Sequence, residues 1–203
     1  MTTKFIIGLS GTHGTGKSTI LNGVEAAGFN VDRTQLSRQA QAALGWDTLA
    51  RAQDSVENMW ALQNTILAAL NNRDYLIEFE KRLTMVERSP ADLWAYTRMW
   101  CERLGVNWLT DERTREYYAK CKLWAERYDI VLFVRQHPNV PFVAEPNRAD
   151  RESRDYVEYG IEDFLVSEKI PRYTFWSTDA DERIEAAINF MTPIESPVKK
   201  ENS

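Results

Sequence analysis

Gly11-Thr12-His13-Gly14-Thr15-Gly16-Lys17-Ser18 decides the fold. Immediately before it runs Phe5-Ile6-Ile7-Gly8-Leu9, a short apolar stretch that reads as a buried strand. Immediately after it, Thr19 to Glu25 reads as a helix. The stretch is therefore G-x-x-x-x-G-K-S between a strand and a helix, the context that marks a P-loop. Glycines let the backbone curl until several N–H groups point into one anion-sized concavity. The following helix adds the partial positive charge of its N-terminus. In this geometry Gly11 through Thr19 cradle a nucleoside triphosphate, Lys17 reaches the β- and γ-phosphates, and Ser18 offers its hydroxyl to Mg²⁺. His13 stands at a free position of the motif. The stretch thus implies ATP and Mg²⁺ as ligands.

Outward from the loop, strand-like and helix-like segments alternate. Gly28 to Asp32 turns into a second short strand, and Thr34 to Leu44 reads as a helix ended by Gly45. The longest helical pattern runs from Asp54 to Leu70, with Val56, Met59, Trp60, Leu62, Ile66, Leu67 and Leu70 at three- and four-residue spacing. Asn71-Asn72-Arg73-Asp74 reads as its break or cap, with continuation into Tyr75 to Phe79 as the alternative. Leu83 to Val86 is a third strand, ending at Glu87-Arg88-Ser89-Pro90. A helix follows from Pro90 through Cys101, and Thr110 caps another from Asp111 to Tyr128. Asp129 to Val134 is a fourth strand. After a loop with Pro138, Pro141 and Pro146 comes an arginine-rich segment, a helix from about Asp155 to Lys169, a fifth strand from Arg172 to Trp176, and a last helix from Asp181 to Met191. This order predicts an α/β fold with a five-stranded parallel sheet flanked by helices on both faces. It occupies one domain over residues 1–191; residues 192–203, with two prolines and little apolar matter, are expected to be disordered.

Composition narrows the classes of function. At 203 residues with 43% hydrophobic and 27% charged, the chain has the make-up of one soluble globular domain. No apolar run approaches the ~20 residues of a membrane span. Cys101 and Cys121 give no metal spacing or disulfide framework, so a cytoplasmic setting is the default. The net charge of −5 argues against a broad non-specific nucleic-acid binder but leaves room for a local basic groove. Arg113, Arg115, Lys120, Lys122 and Arg127 offer such charge, with glutamates interleaved.

In an open parallel sheet, ligands sit at the carboxyl ends of the strands. The P-loop, Asp32-Arg33 and Glu87-Arg88 converge there. Glu87 has two roles open to it: holding Mg²⁺ through water, or accepting a proton from an acceptor hydroxyl. Arg88 braces a phosphate or the acceptor. A surface ion pair is the alternative for both. Asp32 is a second candidate to help hold the metal, through water. In Arg148-Ala149-Asp150-Arg151-Glu152-Ser153-Arg154, arginines three apart share one helix face, as a lid closing over a transferring phosphoryl group requires. Interleaved acids make a solvated helix the competing reading. The P-loop also serves GTPases and ATP-driven switches. Here the fourth strand leads into Arg135-Gln136-His137 with no Asn/Thr-Lys-x-Asp, and no apolar strand ends in Asp-Asp or Asp-Glu.

The P-loop, Glu87-Arg88-Ser89 and the arginine-rich segment together resemble the P-loop nucleoside and nucleotide kinases, over nearly the whole chain up to about Met191. Glu87-Arg88-Ser89 is similar to the Glu-Arg-Ser motif of deoxynucleoside kinases. Glu87 through Tyr96 also resembles nicotinamide-riboside-kinase-like proteins. Compact relatives of this kind occur in bacteriophages, where one group phosphorylates 5-hydroxymethyluracil within DNA. The resemblance implies a phosphotransferase with an alcohol acceptor. Glu87 would be the base, Arg88 the positioning cation, and Lys17 with lid arginines Arg148 and Arg151 the phosphate clamp. It places the acceptor between the long helix and the helix after Pro90. Gln63 beside Trp60 is the candidate base reader, with an exposed polar position as the competing reading, and Arg38 is a candidate contact to the acceptor. Trp94, Tyr96 and Trp100 are candidate stacking residues or core. A free nucleoside-type molecule and a hydroxymethylated base in DNA both remain open as acceptor, as do monomer and homodimer.

Overall fold

The computed structural model describes residues 5–137 and 151–195. Five strands, β1 (Ile6–Ser10), β2 (Asn30–Asp32), β3 (Thr84–Glu87), β4 (Ile130–Val134) and β5 (Arg172–Phe175), form one parallel sheet in the order β2-β3-β1-β4-β5. β1 is central because both its faces are apolar. Ile6 joins one core cluster, and Ile7 and Leu9 join the other. This is the period-two alternation of a strand covered on both sides.

Seven helices cover the sheet. α1 (Lys17–Ala26) and α7 (Ala180–Glu195) pack together on one face, where Ile20, Leu21, Val24, Ala187 and Met191 meet Ile7, Leu9 and Leu132. The other face carries α3 (Val56–Glu80), α4 (Pro90–Arg103), α5 (Glu112–Ala125) and α6 (Arg151–Ser167), which enclose Met59, Trp60, Trp94, Tyr117 and Phe164 with Ile6, Val86 and Phe133. α2 (Leu36–Ala43) and a short 3₁₀ turn, Leu49–Gln53, form a small satellite core with Leu62 of α3.

Three boundaries differ from the sequence reading. α3 passes unbroken through Asn71–Asp74 to Glu80, because Arg73 and Asp74 are buried and satisfy each other. α5 is capped by Asp111, which accepts from the Thr114 amide at 2.9 Å, and not by Thr110. α6 starts at Arg151, about one turn before the expected Asp155. The 3₁₀ turn was not expected, since a single turn carries too few apolar positions to show a period. The final helix runs to Glu195.

Candidate active site

The site is built where β1 and β3 end side by side, with Leu9 in register with Glu87. From Ser10 the chain enters the P-loop, and Gly11, Gly14 and Gly16 adopt φ of +147°, +72° and +92°. An added Cβ at Gly11 would lie 2.4 Å from the Val134 carbonyl oxygen, so glycine is required by space as well as by dihedral. α1 begins at Lys17 with no side-chain cap and no acidic residue in its first turn. Its first-turn amides thus face the concavity without a competing carboxylate, as an anion site needs. Ser18 and Thr19 are exposed at this end, while Thr12, Thr15 and Lys17 are buried and His13 is half-buried.

Lys17 folds back on its own loop. Its Nζ donates to the Gly11 carbonyl at 2.9 Å and to the Thr12 carbonyl at 2.6 Å. Burial pushes this ammonium down from 10.5 to about 7; Arg88 and Arg154 add repulsion, and Asp92 and Glu87 work against them.

The second half of the site is the Glu87-Arg88-Ser89 turn, stitched to the P-loop at four points. The Arg88 amide donates to the Leu9 carbonyl at 3.0 Å. Arg88 Nη1 donates to the Gly11 carbonyl at 2.8 Å. Asp92 Oδ1 accepts from the Gly11 amide at 3.2 Å and from Arg88 Nη1 at 2.9 Å. Ser10 Oγ and Ser89 Oγ share a hydrogen bond of 2.7 Å. Asp92 is fully buried and also closes the Ser89/Asp92 capping box that starts α4. One carboxylate thus caps a helix, neutralises Arg88 and holds the first P-loop amide. Burial opposes the Arg88 charge, yet Tyr96, Asp92 and Glu87 more than offset it, and its pKa is raised. Arg88 also lies 5.1 Å from the ring centre of Tyr96, which in turn packs at 5.7 Å against His13 of the P-loop.

The expected residues distribute unevenly around this hub. Lys17, Arg88 and Glu87 stand together, close enough that Glu87 and Arg88 both act on the Lys17 ammonium. Asp32 ends β2, accepts from the Thr34 amide at 2.7 Å and adds to the field on Arg73. Arg38 is exposed on α2. Gln63 is buried, not on an exposed face, and its amide oxygen accepts from Thr97 of α4 at 3.1 Å. Trp60 is buried beside it, tilted against Tyr117 at 5.8 Å. Of the three stacking candidates only Tyr96 faces the P-loop; Trp94 is core, edge-on to Tyr118 at 4.7 Å, and Trp100 is half-buried with Arg103 over its ring. Arg148 lies outside the described residues. Arg151 is exposed at the start of α6, and it is Arg154, one turn on and buried, that approaches the loop: its Nη2 lies 3.7 Å from where a Gly14 Cβ would stand. On the opposite flank Arg183 of α7, also buried, donates to the Thr15 carbonyl at 2.9 Å. Asp92, Arg154 and Arg183 went unassigned in the sequence; only Asp92 had a local signal there, the Ser-x-x-Asp capping pattern.

Metal binding was tested against the donor set. Among the described residues no group of three or more His, Cys, Asp or Glu could hold an ion. The exposed Ser18 hydroxyl with a carboxylate at a distance instead fits Mg²⁺, which is bound by few protein groups and completes its shell with phosphate oxygens and water.

A glycine cradle on the central strand of a parallel sheet, with Lys17 in it, defines a P-loop domain. Residues 6–183 match the family described as AAA domain, and the chain belongs to that family. Among solved structures, thymidylate kinase from Ehrlichia chaffeensis aligns with a TM-score of 0.60 at 12% identity, covering 93% of this chain and 98% of the other. Deoxyadenosine kinase from M. mycoides with bound dCTP aligns with a TM-score of 0.63 at 14% identity, covering 93% and 99%. The same kinase with bound dATP gives 0.61 at 15%, covering 92% and 98%. At these identities the likeness is one of fold, and it is that of P-loop kinases. No curated protein matches the sequence. Among the described residues no helix is long and apolar enough to cross a membrane.

Proposed function

We propose that this chain is an ATP- and Mg²⁺-dependent phosphotransferase that moves the γ-phosphoryl group to a hydroxyl of a nucleoside- or nucleotide-type acceptor. The observation that carries the reading is the Arg88–Gly11–Asp92 clip, which brings a carboxylate-bearing strand end against the P-loop. A nucleotide switch needs the loop alone; a kinase needs an acceptor-handling group beside it. The activities named for the fold neighbours support the same acceptor class.

In this reading the P-loop amides and Lys17 bind the triphosphate, with Arg154 and the arginine-rich segment before it closing over the far side. Mg²⁺, held by Ser18 and the phosphates with Glu87 or Asp32 acting through water, supplies charge neutralisation on the phosphate oxygens. Glu87 takes the proton from the acceptor hydroxyl as that oxygen bonds to the γ-phosphorus. The bond from the γ-phosphorus to the bridging oxygen breaks and ADP leaves. Arg88, fixed by Asp92 and Tyr96, orients the acceptor and steadies negative charge. The acceptor enters between α3 and α4, beside Gln63 and Trp60, with Arg38 at the rim.

A free small acceptor is favoured over a base in DNA by the fate of the basic segment. Arg113 pairs with Glu57 at 2.9 Å, Lys122 with Glu168 at 2.6 Å, and Arg127 with Glu78. Charges so paired have little left for a phosphate backbone. The enzyme is read as a cytoplasmic monomer or homodimer.

The test is phosphoryl transfer from labelled ATP to deoxynucleosides, nucleoside monophosphates, nicotinamide riboside, and DNA with and without 5-hydroxymethyluracil. Label on a small molecule is the expected result, lost in Lys17→Ala. Label only on hydroxymethylated DNA would move the acceptor to a DNA base. Phosphate release that needs no acceptor would overturn the kinase reading in favour of a hydrolase.

A further inference from the structure

Behind the Glu87-Arg88 turn lies a buried polar network with no part in the chemistry above. Arg73 and Asp74, in the C-terminal third of α3, are 5% and 0% exposed. Arg73 Nε donates to Asp74 Oδ1 at 2.9 Å. Nη1 donates to the Glu87 carbonyl at 2.8 Å, and Nη2 to the Arg88 carbonyl at 3.3 Å and to the Tyr128 hydroxyl at 3.0 Å. Tyr128 passes its own proton to Asp74 Oδ2 at 2.7 Å, where the Trp124 indole also donates at 3.1 Å. The Tyr128 ring lies under Gly8 of β1, where an added Cβ would stand 3.0 Å from it.

Two facts set this network apart from ordinary core. Arg88 has φ of +73°, left-handed backbone that costs a non-glycine residue about 1–3 kcal/mol unless its surroundings over-determine it. Arg73 takes the carbonyl of that residue and the carbonyl just before it, so one rigid guanidinium fixes the peptide on each side of the strained Cα. Secondly, a buried ion pair is a poor source of stability, since apolar residues of the same volume commonly do as well or better. Stability alone therefore does not account for a guanidinium and a carboxylate here; fixed direction does.

We infer that Arg73, held by Asp74 and Tyr128, is a positioning residue for Glu87 and Arg88, acting on phosphoryl transfer through the backbone of their turn. It touches no substrate. The inference rests on the kinase reading above. A displacement of about 1 Å at a reacting group costs on the order of 10²-fold in rate, and this sets the scale of the effect.

The experiment measures kcat and KM for Mg·ATP on the acceptor panel above, together with the thermal transition. Arg73→Met combined with Asp74→Asn removes both charges and leaves none buried alone. The expected result is a cooperative melt, KM for ATP within about threefold of wild type, and kcat lowered about 10²-fold. In a Glu87→Gln background the same pair of changes lowers kcat by less than about twofold, because the group being positioned is already gone. Arg73→Lys restores only part of the loss, since one ammonium does not replace a planar fork across two carbonyls. Full kcat in the paired variant, or equal losses in the two backgrounds, overturns the inference. Should the paired variant fail to fold, Tyr128→Phe decides: kcat falls roughly three- to tenfold in wild type and not in Glu87→Gln, whereas an equal fall in both refutes positioning. A wild-type protein that labels nothing on the panel removes the kinase reading and this inference with it; an active wild type with a full-speed paired variant removes the inference alone.

Discussion

Nucleotide binding should be coupled to proton uptake at Lys17. Its pKa of about 7 in the unliganded protein, against an ordinary 10.5, comes first from burial and then from the neighbouring Arg88. The sign follows directly. Between about 7 and 10.5 the unfolded chain holds a proton that the folded, unliganded chain has released. Unliganded stability therefore rises with pH through that window, by at most about 5 kcal/mol. A nucleotide reverses this, because phosphate charge set against Lys17 restores its affinity for the proton. The uptake on binding is then about 0.1 proton near pH 6, about 0.5 near pH 7 and about 0.9 near pH 8. Above about pH 8, apparent affinity falls towards tenfold per pH unit. The assay is calorimetric titration of Mg·ADP in paired buffers of different ionisation enthalpy; above about pH 7.5 the terminal phosphate, with a pKa near 6, adds nothing to the count. Lys17→Met, which has no ionisable group, should take up no proton. Uptake below about 0.2 proton near pH 8, or the same uptake in Lys17→Met, would refute the reasoning.

Three further predictions address the other parts of the site and its support. Glu87→Gln should leave Mg·ATP affinity unchanged in equilibrium binding and lower kcat about 10²-fold or more, the scale of a lost general base; unaltered turnover would remove Glu87 from that role. Asp92→Asn keeps an oxygen for the Gly11 amide but leaves the Arg88 charge buried without its counter-ion, and should cost about 3 kcal/mol in denaturant unfolding. An unchanged midpoint would mean that the clip contributes nothing. Gly23→Ala pits helix propensity, worth about 1 kcal/mol in favour of alanine, against packing. Its Cβ would lie 2.5 Å from Ile184 Cγ2 of α7, so the packing term should win and the protein should lose about 1–3 kcal/mol, read as a lower Tm. A higher Tm would show that Ile184 simply moves aside.

The fold was legible because its signals are local. Ile6, Ile7 and Leu9 before three glycines and a lysine admit one strand–loop–helix reading, and the remaining strands stand out as short apolar runs between polar caps. The failure at Asn71–Asp74 is equally physical. Four polar residues at the end of an amphipathic pattern read as solvent and termination, since single charges are rarely buried. What buries them is the Tyr128 hydroxyl and the Trp124 indole, 54 and 50 residues away from Asp74, together with the carbonyls of a turn in another layer. Periodicity along one helix carries no information about donors supplied by a different one.

The site divides along the same line. Lys17, Ser18, Glu87 and Arg88 belong to contiguous motifs and were visible in them. Trp94 and Tyr96 could have been separated from sequence as well. Two residues apart on a helix they point about 200° from each other, so one cannot line a pocket with the other. The structure places Trp94 in the core and Tyr96 beside Arg88 and His13. The arginines were harder. Arg151 and Arg154 share a helix face, but which meets the P-loop depends on how α6 lies against α4. That is set by Gly160, whose added Cβ would stand 3.0 Å from Ala95. A glycine in a helix centre normally counts as a propensity cost. Here it lets two helices approach closely enough to bring Arg154 to Gly14, so the determinant of a phosphate-side cation is a missing side chain two turns further along the same helix.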